Sequence, residues 1–250
     1  MSGKKITKKL LFTLLILTLF PTCLFANKVV TFAIGEWTPY TSEKDPACKI
    51  AETIVTEALK LENINVVYEY YPWKRSYIYA KKGYATGTFP WTKTKERTKE
   101  FIYSKESLVM NKSVFFHLKI FNFSWNNYED LKKYTIGTVL GYRETGLLKS
   151  KKLTVYPAMS DEQNFKLLLL KRINIVVCNK IVGYSTINRL FPPDKATLFT
   201  NNPKPIIEEE MFLLISKNIP DGQKIADAFD RGIRKLKKSG RYDKIIGDLQ

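Results

Sequence analysis

Histidine is nearly absent from this chain, with one residue in 250, and cysteine is scarce, with three. The lone His117 sits in an apolar run and no C-x-x-C spacing occurs, which argues against a zinc site. No Ser/His/Asp set can be assembled around a histidine that has no evident acidic partner. The glycines Gly137, Gly141 and Gly146 do not fall into G-x-G-x-x-G, so a dinucleotide site is unsupported. There is no internal repeat or low-complexity tract. No apolar run reaches the roughly twenty residues that comfortably span a bilayer. The expectation is a chain with neither a metal nor an organic cofactor.

What is present is enough apolar material for a large core: 44% hydrophobic and 13% aromatic residues. The length suggests one large or two small domains. At the amino end Lys4, Lys5, Lys8 and Lys9 precede an apolar run over 10–20, and the small residue Ala26 follows. That is the order of a secretory signal at 1–26, with cleavage expected after Ala26; an uncleaved anchor is the alternative, since Leu24 fits the cleavage pattern poorly. Losing four lysines and no acids lowers the net charge from +17 to +13. So basic a surface can mean nucleic acid or anionic lipid. The charges are spread thinly, however, and an exported chain has little access to nucleic acid, so neither is the expected partner; a monomer is expected. Outside the leader remain Cys48 and Cys178, expected on a helix of one domain and a strand of the other, and so as two free thiols.

In chain order, 28–34 reads as a buried strand ending at Gly35-Glu36-Trp37. Asp45 and Pro46 look like the N-cap and first residue of a helix with apolar positions Ile50, Ala51, Ile54, Val55, Ala58 and Leu59. A strand at 64–70 ends at Pro72-Trp73, and a helix at 74–82 and a strand at 85–89 follow. A second α/β series runs from about 128 to 190, with Ser160 and Gln163 forming a capping box. A last amphipathic helix covers 221–238 with Ile225, Ala228, Phe229, Ile233 and Leu236 on one face. Strand and helix alternating with short connections argues for parallel sheets, in an α/β class.

The most informative stretch is 86–104, TGTFPWTKTKERTKEFIYS. Gly87 and Pro90 read as turn formers that stop the strand, and Thr92 or Thr94 as the cap of the next helix. Arg97 falls in that helix's first turn, where a cation opposes the helix dipole. Two readings are open: a guanidinium that holds a carboxylate, with Thr92 adding a hydroxyl and Trp91 a flat wall, or a solvated arginine paired with Glu100 or Glu96.

The run Thr94-Lys95-Glu96-Arg97, followed by Phe101-Ile102-Tyr103-Ser104, resembles the T-x-E-R…F-S segment of the family 3 extracellular solute-binding proteins, which include periplasmic receptors of polar amino-acid ABC transporters. The likeness runs from Val30 to the carboxyl end. It implies a two-lobed periplasmic-binding-protein-like type II fold, with two α/β sheets joined by a hinge that the chain crosses twice. Lobe 1 would be 27–112 plus 211–250, and lobe 2 the inserted 113–210. It also implies a periplasmic receptor for a small anionic solute, an amino acid or another carboxylate, and an inner-membrane ABC permease as partner. An exported dehydratase-like enzyme and an orphan sensory receptor are the alternatives. Mapped onto this chain, Arg97 and Thr92 match the carboxylate-binding pair, and Trp37 and Trp73 match aromatic covers. Gly141-Tyr142-Arg143 stands where the family commonly has Gly-Thr-Thr, with Arg143 a second cleft cation or a solvated one. Asn179 stands where an aspartate meets the ligand's ammonium, which points to a solute without one unless Glu36 supplies the charge. For an enzyme, Glu36 and Glu144 are the nearby acids or bases.

Overall fold

The computed structural model describes residues 28–247; the expected leader lies outside the described residues. A first series comprises β1 (Lys28–Ile34), α1 (Ile50–Lys60), β2 (Ile64–Tyr70), α2 (Trp73–Lys82), β3 (Gly87–Thr92), the short α3 (Lys95–Glu100) and β4 (Phe101–Tyr103). The long β5 (Val109–Leu118) leads into a second: β6 (Ile136–Val139), α4 (Arg143–Ser150), β7 (Val155–Ala158), α5 (Asp161–Leu169), β8 (Ile175–Asn179), α6 (Lys180–Leu190), α7 (Pro193–Ala196) and β9 (Phe199–Asn201). The equally long β10 (Ile207–Ser216) returns to the first series, where α8 (Gly222–Lys238) and α9 (Arg241–Gly247) pack.

The two long strands join the halves. Residues 207–211 of β10 pair antiparallel with 109–113 of β5. From Met211 onward β10 pairs with β3 and β4, and from Ser113 onward β5 pairs with β8 and β9. On the outer flanks β1 lies parallel between β2 and β3, and β6 parallel between β7 and β8. The chain therefore crosses twice, as the two-lobed α/β fold requires. The crossing strands are themselves hydrogen-bonded, so the path β2-β1-β3-β10-β5-β8-β6-β7 is continuous.

Helical periodicity placed the packing faces correctly. The six apolar positions expected on α1 are all buried, as are the five on α8. The two helices touch at Gly232, where a Cβ would stand 2.0 Å from the Ala58 carbonyl oxygen. Only a residue without a side chain permits that approach. No helix among the described residues is long and apolar enough to cross a membrane.

Three local expectations are corrected. The strand at 85–89 does not stop at Gly87 and Pro90; β3 begins at Gly87 and runs through Pro90 to Thr92. Opposite Pro90 the register with β10 shifts, so the residue without an N–H falls at a bulge instead of ending the ladder. Gly87 is there for space, since a Cβ would meet the Leu214 carbonyl oxygen at 2.1 Å. Asp45-Pro46 does not start α1: Asp45 accepts from the Ala47 N–H and the Cys48 thiol, closing a turn over 45–48 ahead of the helix, which begins at Ile50. Cys48 thus lies in a turn and not on a helix; it and Cys178 are free thiols. Of the capping box on α5 one arm forms, Gln163 N–H to Ser160 Oγ, while the Gln163 side chain accepts from Met159 N–H instead.

Gly232→Ala is expected to destabilise the protein by about 1–3 kcal/mol, the range for overpacking a tight contact. Gly146→Ala, in mid-α4 with nothing within 4 Å of its would-be Cβ, should stabilise by about 0.5–1 kcal/mol. Urea denaturation of the two variants checks both signs.

Candidate functional site

A cavity of about 450 Å³ opens between the two halves. It sits beyond the carboxyl ends of β1, β2, β3, β6, β7 and β8, where open α/β sheets leave room for ligands.

Arg97 is fixed on the first-half side. Thr94 caps α3, its Oγ1 accepting from Arg97 N–H at 3.2 Å. The Arg97 side chain then folds back onto the end of β3, and Nη1 donates to both the carbonyl and the Oγ1 of Thr92, each at 2.9 Å. Its guanidinium carbon lies 4.7 Å from the centre of the Trp91 ring, in cation–π range. The Thr92 carbonyl also accepts from the Tyr103 hydroxyl. The solvated-pair reading does not hold, because Glu100 is occupied by Lys81 and Tyr77. None of the ion pairs among the described residues includes Arg97. At six residues α3 is too short for its dipole to matter much, so the guanidinium is the principal positive charge on this wall.

The other first-half surface is aromatic. Trp37 stacks on the buried Tyr40 with ring centres 4.4 Å apart. Trp73, the first residue of α2, donates from Nε1 to the Glu36 carbonyl and packs edge-on to Trp91 at 5.4 Å. Its ring occupies the space a side chain at Gly35 would need. All three tryptophans line the cavity. Glu36, by contrast, is corrected: its carboxylate accepts from the Thr38 hydroxyl and the Glu43 N–H and lies in a separate outer groove with Lys44 and Tyr71. It supplies no charge to the cavity, because the chain turns over Trp37 and puts the neighbouring side chain on the opposite side.

The second half carries acids. Gly141 follows β6 with φ +84°, a backbone conformation that suits glycine. Tyr142 and Arg143 line the cavity from its exposed rim. Arg143 is ion-paired with Glu209 of β10, so its charge is already matched. Asn179 closes β8 and caps α6: its Oδ1 accepts from Ile181 and Val182 N–H, and its Nδ2 donates to Asn111 of β5. Glu144 accepts from the Ser113 hydroxyl at 2.8 Å. Asp161, at the start of α5, also lines the cavity; among the described residues its Oδ1 has no hydrogen-bond partner, while the Cys178 thiol lies against the carboxyl group. Sequence reading singled out only the Ser160 and Gln163 capping box here and not Asp161; its place just past the carboxyl end of β7 is the signal that marks it. Among the described residues no group of three or more His, Cys, Asp or Glu could hold a metal.

Burial, followed by the charges of Glu144 and Glu162, pushes Asp161 up to about 6, against the pull of the adjacent Cys178 thiol. Burial and that same carboxylate push the Cys178 thiol well above its usual range. A carboxyl group with a raised folded-state pKa holds a proton the unfolded chain has released. The resulting stabilisation is complete below about pH 4 and is lost as pH rises through 6, leaving a strained anion at neutrality. Asp161→Asn is therefore expected to raise stability by about 2 kcal/mol at pH 7, a gain that shrinks toward pH 5. Urea denaturation at the two pH values measures it, and a pH-independent difference would contradict the assignment.

No family model matches the chain, and no curated protein matches it by sequence. Its fold is that of many solved structures. A mutant of ArgBP from T. maritima superposes with a TM-score of 0.68 at 16% identity, covering 88% of this chain and 94% of that one. Substrate-binding domain 2 of Lactococcus lactis GlnP, in an open conformation, gives 0.70 at 18% identity, covering 89% and 95%. A histidine kinase sensor domain described as similar to periplasmic binding proteins gives 0.69 at 13% identity, covering 88% and 95%. At these identities the likeness shows the fold: a two-lobed, periplasmic-binding-protein-like architecture shared with amino-acid-binding proteins.

Proposed function

We propose that the chain is an exported receptor that captures a small carboxylate-bearing solute between its halves and delivers it to a membrane permease without chemical change. The observation that carries this reading is Arg97. It is pinned by Thr92, laid over Trp91 and without a carboxylate partner among the described residues, at the wall of a cavity large enough for a solute of amino-acid size. A guanidinium held in this way loses little further freedom when it binds a carboxylate. Trp37, Trp73 and Trp91 would bury the solute's apolar part, and Gly141 with Tyr142 would close over it from the other side. In this reading lobe 1 is 27–112 plus 211–250, lobe 2 is 113–210, and β5 and β10 are the hinge. Residues 1–26 direct export to the periplasm, and the receptor acts as a monomer. That an ancestral arginine-binding protein bound to arginine and a ligand-binding core in complex with L-glutamate share this fold supports an amino acid or a related acid as the solute. The sensor-domain neighbour supports a second reading, in which closure signals instead of delivering.

An enzyme reading rests on one observation, a cavity carboxyl group that titrates near pH 6, the range suited to proton transfer. Incubating the protein with a bound acid and analysing the mixture for product separates it from the receptor reading, which expects the acid back unchanged.

Thermal shift of the chain lacking 1–26, against the twenty amino acids and their deaminated carboxylates, tests the main reading. A true solute at a hundred times its Kd should stabilise by about 2.7 kcal/mol, a shift of several degrees. Arg97→Ala should weaken binding about 100-fold or more, as loss of a charge-assisted bidentate contact does. An unchanged shift in that variant would remove Arg97 from the site.

A further inference from the structure

We propose that Asp161, backed by Glu144, is a cation anchor, and that the solute whose carboxylate meets Arg97 also carries an ammonium or guanidinium group received by these two acids. This rests on the receptor reading above and narrows its substrate class from an anion to a zwitterion or cationic amino acid.

The argument begins with Asn179. Its oxygen is committed to the backbone of α6 and its nitrogen to Asn111, so it has no charge and no spare acceptor to offer a cation. The carboxylates lining the cavity are Glu144, Asp161 and Glu209. Glu209 is matched by Arg143, and Glu144 has the neutral Ser113 hydroxyl. Among the described residues Asp161 Oδ1 has no hydrogen-bond partner, and the one donor beside the carboxyl group is the weak Cys178 thiol. A buried carboxylate oxygen without a donor is costly, and such groups are retained where something else completes them. Within the cavity wall that something is missing. The lining cations are Arg97, which is held by Thr92 and Trp91 on the facing half, and Arg143, already paired. Among the described residues no lysine lines the cavity. A donor with positive charge has to arrive with the solute.

The cavity is thus divided: one guanidinium against tryptophan on the first half, and two acids without cationic partners on the second. A molecule with carboxylate and cation at opposite ends fits that division, and a plain carboxylate would face Glu144 and Asp161 with repulsion. The groups facing Asp161 are Tyr142 and Glu144 at the start of α4, Glu162 beside it on α5, and the Cys178 thiol of β8. None of them is cationic, so an incoming cation would have to displace a proton from Asp161 at acidic pH. Its affinity should then fall about tenfold per pH unit below about 6.

Isothermal titration with each amino acid and its deaminated counterpart, L-glutamate against glutarate for example, is the test, on the wild type, Asp161→Asn, Glu144→Gln and Arg97→Ala. The expected result is that removing the amino group from a bound amino acid weakens it at least 100-fold. Asp161→Asn should erase most of that preference together with the pH slope, while Glu144→Gln reduces it less. Deaminated acids binding as tightly as their amino acids, or Asp161→Asn keeping the full preference, would overturn the anchor. If Arg97→Ala still abolishes binding in that case, the receptor reading survives. Arg97→Ala without effect on any ligand would remove Arg97 from the site, and failure of every panel member to bind would count against the receptor reading and the anchor alike.

Discussion

The site depends on a short closed arrangement at the end of β3, in which Thr92 accepts twice from the Arg97 guanidinium while Trp91 lies beneath it. A free arginine side chain carries about 2 kcal/mol of rotamer entropy, and much of that is already spent here by covalent neighbours five and six positions away. Among the described residues the charge has no acid of its own, because Glu100 is bound by Lys81 and Tyr77 across the first half. The group remains partly solvated and lies on an aromatic face, both of which stabilise its charge.

The opposite wall is built from the crossing strands. Ser113 and Asn111 of β5 reach across to Glu144 and Asn179, and Glu209 of β10 reaches to Arg143. Polar groups of the second half are thus tied to the strands that join it to the first. Any rotation of one half on the other would be felt at these contacts, which makes β5 and β10 structural members of the site as well as its connection. The acid that escapes this web is Asp161, whose neighbour Cys178 is a weak donor at best.

Much of this was legible in the chain. The α1 and α8 faces follow from apolar spacing, and the alternation of strand and helix gave two α/β series, while the double crossing was implied by the family resemblance. Trp37, Trp73, Thr92, Arg97, Gly141 and Asn179 were grouped by the family resemblance, and each lies at or beyond the carboxyl end of a strand. What was not legible depends on tertiary contacts. Asp161 follows Ser160, a strong helix start that accounts for an acid locally, so its burial could not be inferred from neighbours. Arg143 and Glu209 stand 66 residues apart and meet only because β10 returns along β5. Glu36 shares a strand end with Trp37 yet turns to the outer surface, and Pro90 sits within a strand because a bulge in the pairing removes the need for its missing N–H.

The most direct measurement is a crystal structure with an amino acid drawn from the thermal-shift panel. The account predicts one carboxylate oxygen at about 2.8 Å from an Arg97 nitrogen, with the solute's cation on Asp161 and its body against the tryptophans. A solute seated in the cavity with its carboxylate away from Arg97, or bound outside the cavity altogether, would contradict it.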